Sequence, residues 1–254
     1  MTPDAGRVQE IEAALTAVRE RLRAACEVAG RHDDVMLLPV TKFFPASDVE
    51  ILYRLGCREF GESREQEATA KAAELHETFA DGPAEWHMIG HLQRNKARAV
   101  ARWAHSIHSV DSDRLVDALQ KAVRRAHDDG DRTTPLNVLI QVSLDGDVHR
   151  GGVERADLAA LADHVASRHD LSFAGLMAVP PLGADPDAAF ADLAQLHRDI
   201  LADHPGATQL SAGMTSDLES AVRHGSTCVR VGTAILGSRP IASPVQTTDH
   251  SSHN

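Results

Sequence analysis

Apolar and polar residues follow two different spacings along the chain. Between residues 7 and 29, apolar side chains recur every three or four positions, which predicts an amphipathic helix. Residues 34–41, with the sequence DVMLLPVT, form an almost unbroken apolar run and predict a buried strand. Helical spacing returns at residues 47–56, where Ser47 is the predicted N-cap and Gly56 the predicted end of a second helix.

The same alternation continues along the rest of the chain. The further predicted strands are EFGE, EWHMIG, SIHSVD, LNVLIQVSL, FAGLMAV, ATQLSA and TCVRVG. The further predicted helices cover residues 63–78, 91–104, 112–127, 155–168, 185–203 and 215–224. Eight strands that alternate with helices predict a parallel sheet, and this number fits an α/β fold, the (β/α)8 TIM barrel. The first helix is then an extra element, which we expect to cover one end of the barrel.

A doubly wound open sheet is the alternative arrangement of these elements. No GxGxxG motif follows the first predicted strand, which counts against that fold. The chain has 254 residues, of which 43% are hydrophobic, and this is enough for one large core. We therefore predict a single domain over residues 1–240, followed by a flexible polar tail over residues 241–254.

Charge and cysteine content exclude several classes of protein. The net charge is −11 and the charges are spread without a long basic run, so we expect no nucleic-acid partner. Three scattered cysteines are typical of reduced thiols in the cytosol. The N-terminus does not have the pattern of a signal peptide, and no apolar run approaches the ~20 residues that span a bilayer. These features predict a soluble cytoplasmic protein without a membrane partner.

Lys42 lies within an apolar stretch, where an ammonium group is costly to bury. At the end of the first barrel strand, it would lie on the face that carries active sites in this fold. Neighbours such as Leu38 and Phe43 would desolvate the amine and lower its pKa, and a neutral amine can form a Schiff base with an aldehyde. The alternative is a lysine that extends its ammonium group into water.

Two glycine-containing segments predict an anion site. LSAGMTSD, residues 210–217, ends the seventh predicted strand, and VRVGTAILG, residues 229–237, ends the eighth. Glycine lets backbone N–H groups approach an anion closely, and the start of a helix supplies positive potential. Loops after strands seven and eight are a common phosphate site in this barrel. A phosphate site facing an aldehyde-reactive amine suggests pyridoxal 5′-phosphate (PLP) or a phosphorylated sugar as the ligand.

The histidines do not form a recognisable metal motif. His87 and His91 are four residues apart, as two ligands on one helix would be. However, Gly90 lies between them, His87 falls on a predicted strand, and no glutamate completes an HExxH motif. We expect these histidines to pack or to form hydrogen bonds, and we expect no catalytic metal.

From about Ile11 to Pro240, the chain resembles the YggS/PROSC family of PLP homeostasis proteins. The motifs that carry the resemblance are LLPVTKFFP, FGESREQE, WHMIGHLQRNK, IHSVDS, VLIQVSLDGDVHRGG, GLMAVPP, LSAGMTSD and VRVGTAILG, in this order. The resemblance implies the fold-type III barrel of the alanine racemase N-terminal domain. It also implies PLP as the cofactor, bound as a Schiff base on Lys42.

The resemblance assigns further residues to the cofactor. The LSxGM motif contributes Ser211, which would hold the phosphate, and Met214. Gly232 and Thr233, after the last strand, would hold the phosphate from the other side. Arg230 would lie near the pyridine nitrogen, where a guanidinium group leaves that nitrogen unprotonated. The alternative role for Arg230 is a structural pair with a carboxylate.

Three positions depart from the family pattern. Ser63 replaces the asparagine that usually follows FGE, so we expect its contact near the cofactor to be lost or mediated by water. Ser143 also stands in place of an asparagine. Arg150 replaces a lysine, and because arginine forms no Schiff base at neutral pH, we expect no second PLP attachment there.

The family implies a non-catalytic protein that buffers PLP or delivers it to apo-enzymes. The alternatives are a PLP-dependent racemase or decarboxylase, and a Schiff-base aldolase for sugar phosphates, although no acidic residue is clearly placed beside Lys42. Racemases of this fold have a further C-terminal domain that supplies a catalytic tyrosine and a dimer interface. Here the chain ends soon after its last motif, and its only tyrosine, Tyr53, lies in a predicted core position. We therefore expect a monomeric PLP carrier and not an enzyme.

Overall fold

Eight parallel β-strands form one sheet that curves into a barrel. The computed structural model describes residues 4–79, 82–147 and 150–238. The strands are β1 (Met36–Pro39), β2 (Glu59–Glu62), β3 (Glu85–Met88), β4 (Ala104–Val110), β5 (Leu136–Gln141), β6 (Leu171–Met177), β7 (Gln209–Ser211) and β8 (Cys228–Val231). Their order is β1-β8-β7-β6-β5-β4-β3-β2, which confirms the predicted barrel and excludes the doubly wound sheet. The predicted tail at residues 241–254 lies outside the described residues.

Helices follow the strands along the chain. They are α1 (Ala5–Val28), α2 (Ala46–Arg54), α3 (Glu65–Leu75), α4 (Ala97–Trp103), α5 (Asp113–Asp128), α6 (Arg155–Ala166), α7 (Pro186–Asp203), α8 (Leu218–Arg223) and α9 (Thr233–Leu236). The helix predicted at 91–104 begins later, because residues 94–96 form a 3-10 turn before α4. Among the described helices, none combines the length and the apolar character that crossing a bilayer requires.

The barrel closes between β1 and β2 through few backbone contacts. On one side, β1 pairs with β8 along its full length. On the other side, the described structure shows one bridge between Val40 and Gly61, and the Thr41 N–H donates to the Gly61 carbonyl at 2.9 Å. We call this junction the β1–β2 seam. Because its ladder is so short, side chains must contribute to holding it closed.

Helix α1 lies in the outer ring of helices, so the prediction that it covers one end of the barrel is wrong. It packs against α8, α9 and α2. Near its start, Arg7 donates to the Leu236 carbonyl at 2.9 Å, and further along Arg21 forms an ion pair with Glu219 of α8. The physical reason is the length of α9, which has four residues and leaves the outer surface beside β8 uncovered. Helix α1 takes that position.

Apolar side chains fill the space between strands and helices in two clusters. One cluster joins β3 to β7 with α4 to α7, and the other joins α1, α2, α8 and α9 with β8. Phe60, Ile107 and Leu136 are fully buried, and each such side chain contributes about 1.5–3 kcal/mol. Several strands also carry buried polar side chains: His87, Ser106, His108, Ser211 and Arg230.

Candidate functional site

The C-terminal ends of the strands collect the predicted site residues at one end of the barrel. Ser211 ends β7, Arg230 lies in β8, and the other residues follow a strand within three positions: Lys42, Ser63, Met214, Gly232 and Thr233. All the strands are parallel, so these residues share one face of the barrel. The Arg230 N–H donates to the Gly213 carbonyl at 2.9 Å, which joins the two predicted phosphate segments.

Lys42 occupies the corner of a tight turn directly after β1. The Phe44 N–H donates to the Thr41 carbonyl at 3.1 Å and closes this turn. Phe43 has a φ of 69°, in the left-handed region that residues other than glycine rarely adopt. The turn lifts Lys42 out of the strand, so its side chain is exposed while those of Thr41 and Phe44 are buried. The expectation that apolar neighbours desolvate the Lys42 amine is therefore wrong.

A buried charged cluster holds this turn from below. Nζ of Lys71 donates to the Thr41 carbonyl, to Oε1 of Glu62 and to Oε1 of Glu67, each at 2.8 Å. The Thr41 hydroxyl donates to Glu62 at 2.6 Å, and the Phe43 N–H donates to Glu67 at 2.6 Å. The cluster thus binds the backbone on both sides of Lys42. These hydrogen bonds hold the backbone in place, and contacts of this kind allow a strained backbone to persist at a functional site.

Sequence reasoning missed this cluster, although one feature pointed to it. Glu62 ends a short, buried strand and is 0% exposed, which is unusual for a glutamate. Burial raises the pKa of the Glu62 carboxyl, and Lys71 and Thr41 oppose that rise. Its second oxygen, Oε2, is buried without a hydrogen-bond partner among the described residues. A charged residue in an apolar strand is a reason to search for its counter-ion.

Arg230 and Ser211 form the polar floor of the candidate site. Arg230 is 5% exposed, and its guanidinium donates to the Ser211 hydroxyl at 2.8 Å and to the Ala178 carbonyl at 3.0 Å. Burial lowers the pKa of this guanidinium. Within the described ranges, no carboxylate forms an ion pair with it, so the alternative of a structural pair is not what the structure shows. A buried cation with neutral partners fits an anionic ligand such as a phosphate.

Two histidines extend this polar floor into the barrel. Nδ1 of His108 lies 2.9 Å from the Ser211 hydroxyl, and Nε2 of His108 lies 3.1 Å from Nδ1 of His87. Burial, followed by the charges of His87 and Arg230, holds the pKa of His108 well below its usual range. His87 is on β3 and hydrogen-bonded, as expected, whereas His91 is exposed beyond that strand. The chain from His87 to Arg230 was not predicted, since its members come from four different strands.

Glycines allow close packing of the loops around the site. A Cβ at Gly232 would lie 3.1 Å from the Val40 carbonyl, two residues before Lys42. A Cβ at Gly90 would lie 2.3 Å from the Ser63 carbonyl, so only glycine fits there. Ser63 lines a cavity of about 390 Å³ beside the turn. Thr233 opens α9, and the first N–H groups of a helix have no acceptor within it. Free backbone N–H groups of this kind can donate hydrogen bonds to an anion.

Comparison with known proteins places the chain in a family. Residues 14–240 match the family described as alanine racemase, N-terminal domain. The pyridoxal phosphate homeostasis protein of Mycobacterium tuberculosis is 54% identical over 248 residues, which cover 94% of this chain and 96% of that protein. The chain belongs to the PLP homeostasis protein family. A further family member, the pyridoxal phosphate homeostasis protein of Pseudomonas aeruginosa, is 39% identical over 231 residues, covering 91% of this chain and 96% of the relative.

Solved structures agree with this family membership and with the fold. PipY of Synechococcus elongatus, solved with PLP bound, is 35% identical with a TM-score of 0.75, covering 89% of this chain and 100% of PipY. Alanine racemase of Corynebacterium glutamicum is 14% identical with a TM-score of 0.64, covering 92% of this chain and 62% of the racemase, and shares the fold alone. The predicted resemblance and barrel are confirmed. The roles of individual residues stay predictions.

Proposed function

We propose that this chain binds PLP and serves in PLP homeostasis, the role for which its family relatives are named, and that it does so as a cytoplasmic carrier. The observation that carries the proposal is the pairing of an exposed amine with a buried cation. The amine of Lys42 stands on the face where Arg230 and Ser211 lie buried without a counter-ion in the described chain. PLP carries an aldehyde for the Lys42 amine, a phosphate for the Ser211 hydroxyl and a pyridine nitrogen for the Arg230 guanidinium.

The lysines of the chain support Lys42 as the residue that reacts with the aldehyde. The chain has four lysines. Lys71 is buried between two glutamates, and Lys96 forms an ion pair with Glu65. Lys121 is exposed on α5, away from the strand ends. Lys42 thus combines an accessible amine with a place beside the anion site.

Each site residue receives one task in this proposal. When bound, PLP would supply an aldehyde, and the Lys42 amine would hold it as a Schiff base. Ser211, Gly232 and Thr233 hold the phosphate, and the two glycine segments set the backbone around it. Arg230 lies near the pyridine nitrogen, where its guanidinium leaves that nitrogen unprotonated. Met214 is a further contact to the cofactor, whereas the contact of Ser63 is lost or mediated by water.

Several features favour a carrier over an enzyme. The hydroxyl of Tyr53 donates to the Gly82 carbonyl at 2.8 Å, and its ring stacks on Phe79, so it offers no acid or base at the Lys42 turn. Lys42 is exposed, which suits loading and release of the cofactor better than chemistry that must exclude water. We propose a monomer that transfers PLP to apo-enzymes. Arg150 forms an ion pair with Asp145, and because arginine forms no Schiff base at neutral pH, we expect no second PLP attachment there.

Absorbance spectroscopy of the purified chain with PLP tests the proposal. We expect a visible band that borohydride reduction removes, because reduction converts the Schiff base to a stable amine. Lys42→Ala should lose this band, whereas the matched variant Lys121→Ala should keep it. A band that persists unchanged in Lys42→Ala would show that another group holds the aldehyde.

A panel of amino acids separates the carrier from an enzyme. The PLP-loaded chain should show no sustained turnover of L- or D-amino acids, because a second acid–base group contributes about 10²–10⁴-fold and Tyr53 does not supply it. Lys42-dependent racemisation or decarboxylation at about 1–10³ s⁻¹, an ordinary enzyme rate, would refute the carrier role.

A further inference from the structure

The N-terminal end of the barrel, opposite the Lys42 turn, gathers a histidine and two glutamates. Glu59 begins β2, Glu85 begins β3, and His87 follows on the same strand. Glu59 and Glu85 are register partners in the β2–β3 ladder, so the alternation of side chains places all three on one face. One nitrogen or oxygen atom from each side chain lies within 4.8 Å of the other two. We call this the EEH cluster.

The Nε2 atom of the His87 imidazole has no hydrogen-bond partner among the described residues. The residue is 2% exposed. Its Nε2 lies 3.0 Å from Oε2 of Glu59, but the two atoms are not oriented to form a hydrogen bond. Both atoms are buried without a hydrogen-bond partner in the part of the chain that the structure describes. Two unpartnered buried atoms that face each other are costly unless a third group joins them.

We propose that the EEH cluster binds a divalent first-row transition-metal cation, best matched by Zn²⁺, through Nε2 of His87 and one carboxylate oxygen each from Glu59 and Glu85. Imidazole and carboxylate are ordinary zinc ligands, with bonds of ~2.0–2.2 Å. Two such bonds at a tetrahedral angle place their ligand atoms ~3.3–3.6 Å apart. The 3.0 Å between His87 and Glu59 is close to this spacing. Mg²⁺ and Ca²⁺ prefer oxygen ligands alone.

The surroundings of His87 provide the outer partner that a metal-binding histidine requires. A cation on Nε2 leaves the ring proton on Nδ1, which then donates to His108 Nε2, 3.1 Å away. His108 is itself buried and lies against the Ser211 hydroxyl. The orientation of the imidazole is therefore set before a cation binds.

The neighbouring His105 is not counted as a ligand. Its Nε2 lies 3.4 Å from Oε2 of Glu85 and 3.0 Å from the amide nitrogen of Asn137. The amide of Asn137 donates to this nitrogen, so its lone pair is already used and is not free for a cation. The remaining coordination position is left for water.

A cavity reaches the cluster at Glu59. Its volume is about 520 Å³, and Glu59, His108 and two arginines contribute to its lining. Arg19 donates to the Leu55 carbonyl, and Arg58 donates to the carbonyls of Tyr53 and Cys57. In the described parts of the chain, no lysine or arginine forms an ion pair with Glu59 or Glu85. A cation would therefore bind to two carboxylates whose negative charge is not neutralised by a lysine or an arginine in the described chain.

Titration of the untagged full-length chain with Zn²⁺ tests the proposal. The chain is first stripped with a chelator, and binding is then measured by competition with a chromophoric chelator. We expect one Zn²⁺ per chain, with no comparable binding of Mg²⁺. Glu59→Gln and Glu85→Gln should each weaken binding at least about tenfold, because each removes an anionic ligand. Glu12→Gln, an exposed change on α1, should keep the wild-type affinity.

The location of the cation decides the outcome. An anomalous difference map at the zinc edge should show a peak between the three side chains, and a peak elsewhere, such as at the tail residues His250 and His253, overturns the proposal. Equal Zn²⁺ affinity of the Glu59→Gln, Glu85→Gln and Glu12→Gln variants overturns the proposal too, as does the absence of saturable Zn²⁺ binding. If Glu59→Gln does not fold, Glu85→Gln and the map decide. The PLP band should persist in Glu85→Gln, which separates this test from that of the carrier role.

Discussion

Arg230 carries a positive charge at a place that water barely reaches. Its two hydrogen-bond partners, the Ser211 hydroxyl and the Ala178 carbonyl, are both neutral. Moving a cation out of water is costly when no anion accompanies it, and an anionic ligand offsets most of that cost. At the scale of one residue, we therefore expect Arg230 to contribute more to ligand binding than to the stability of the fold.

Arg230→Met separates these two contributions. PLP affinity should fall at least about tenfold, because a hydrogen bond to a charged group contributes about 1.5–3 kcal/mol. Without PLP, the free energy of unfolding should change by less than about 2 kcal/mol, since the variant removes a buried charge but leaves the Ala178 carbonyl without its donor. Equilibrium PLP titration and urea unfolding measure the two effects.

Arg132→Met is the matched control for that experiment. Arg132 also donates to backbone carbonyls, those of Ala101 and Ala104, but at the opposite end of the barrel. Burial lowers the pKa of its guanidinium, as it does for Arg230. The control should keep the wild-type PLP affinity. Equal losses of affinity in both variants would mean that Arg230 acts only through the fold.

At the scale of elements, local spacing predicts what an element is but not where it packs. The apolar stripe of α1 predicted a helix at 7–29, and the structure has it at Ala5–Val28. Its place in the ring depends on the shortness of α9, a property of a distant segment. In the candidate site too, the sequence predicts which residues reach one face but not which side chains contact one another. Strand order brings Lys42 and Ser211 to one face, whereas the contacts of Lys71 depend on side-chain packing between separate elements.

Leu15→Ala tests whether α1 is an integral member of the ring. Leu15 is 1% exposed on the inner face of α1. We expect the free energy of unfolding to fall by about 2–5 kcal/mol, because the variant leaves a cavity against α8 and α9. Glu12→Ala, on the exposed face of the same helix, should change it by no more than about 0.5 kcal/mol. Similar unfolding curves for both variants would show that α1 is only loosely attached.

At the scale of the whole molecule, barrel closure and the Lys42 turn depend on the same side chains. The β1–β2 seam has one backbone bridge in the described structure. The Thr41 hydroxyl crosses this seam to Glu62, and Lys71 joins both from α3. The same ammonium group also reaches Glu67, which accepts the Phe43 N–H. Loosening the seam should therefore also loosen the turn that presents the Lys42 amine.

Lys71→Met tests this coupling. The variant should lose about 3–5 kcal/mol of stability, because it leaves the Glu62 carboxylate buried without its counter-ion. Burial raises the pKa of Glu62 even with Lys71 present, and the variant raises it further. Above the unfolded value of about 4.3, the folded carboxyl then holds a proton that the unfolded one has lost, so stability falls as pH rises. The loss should be larger at pH 8 than at pH 5.

The double variant Glu62→Gln/Lys71→Met separates the charge from the packing. A neutral amide needs no counter-ion, so the double variant should be more stable than Lys71→Met at pH 8, and its destabilisation should vary less with pH. Lys96→Met breaks the more exposed Lys96–Glu65 pair and should cost no more than about 1 kcal/mol. Urea unfolding at both pH values measures these differences, and the PLP band reports the turn. A Lys71→Met variant with wild-type stability and an unchanged band would show that the seam closes, and the Lys42 turn forms, without the buried ammonium group.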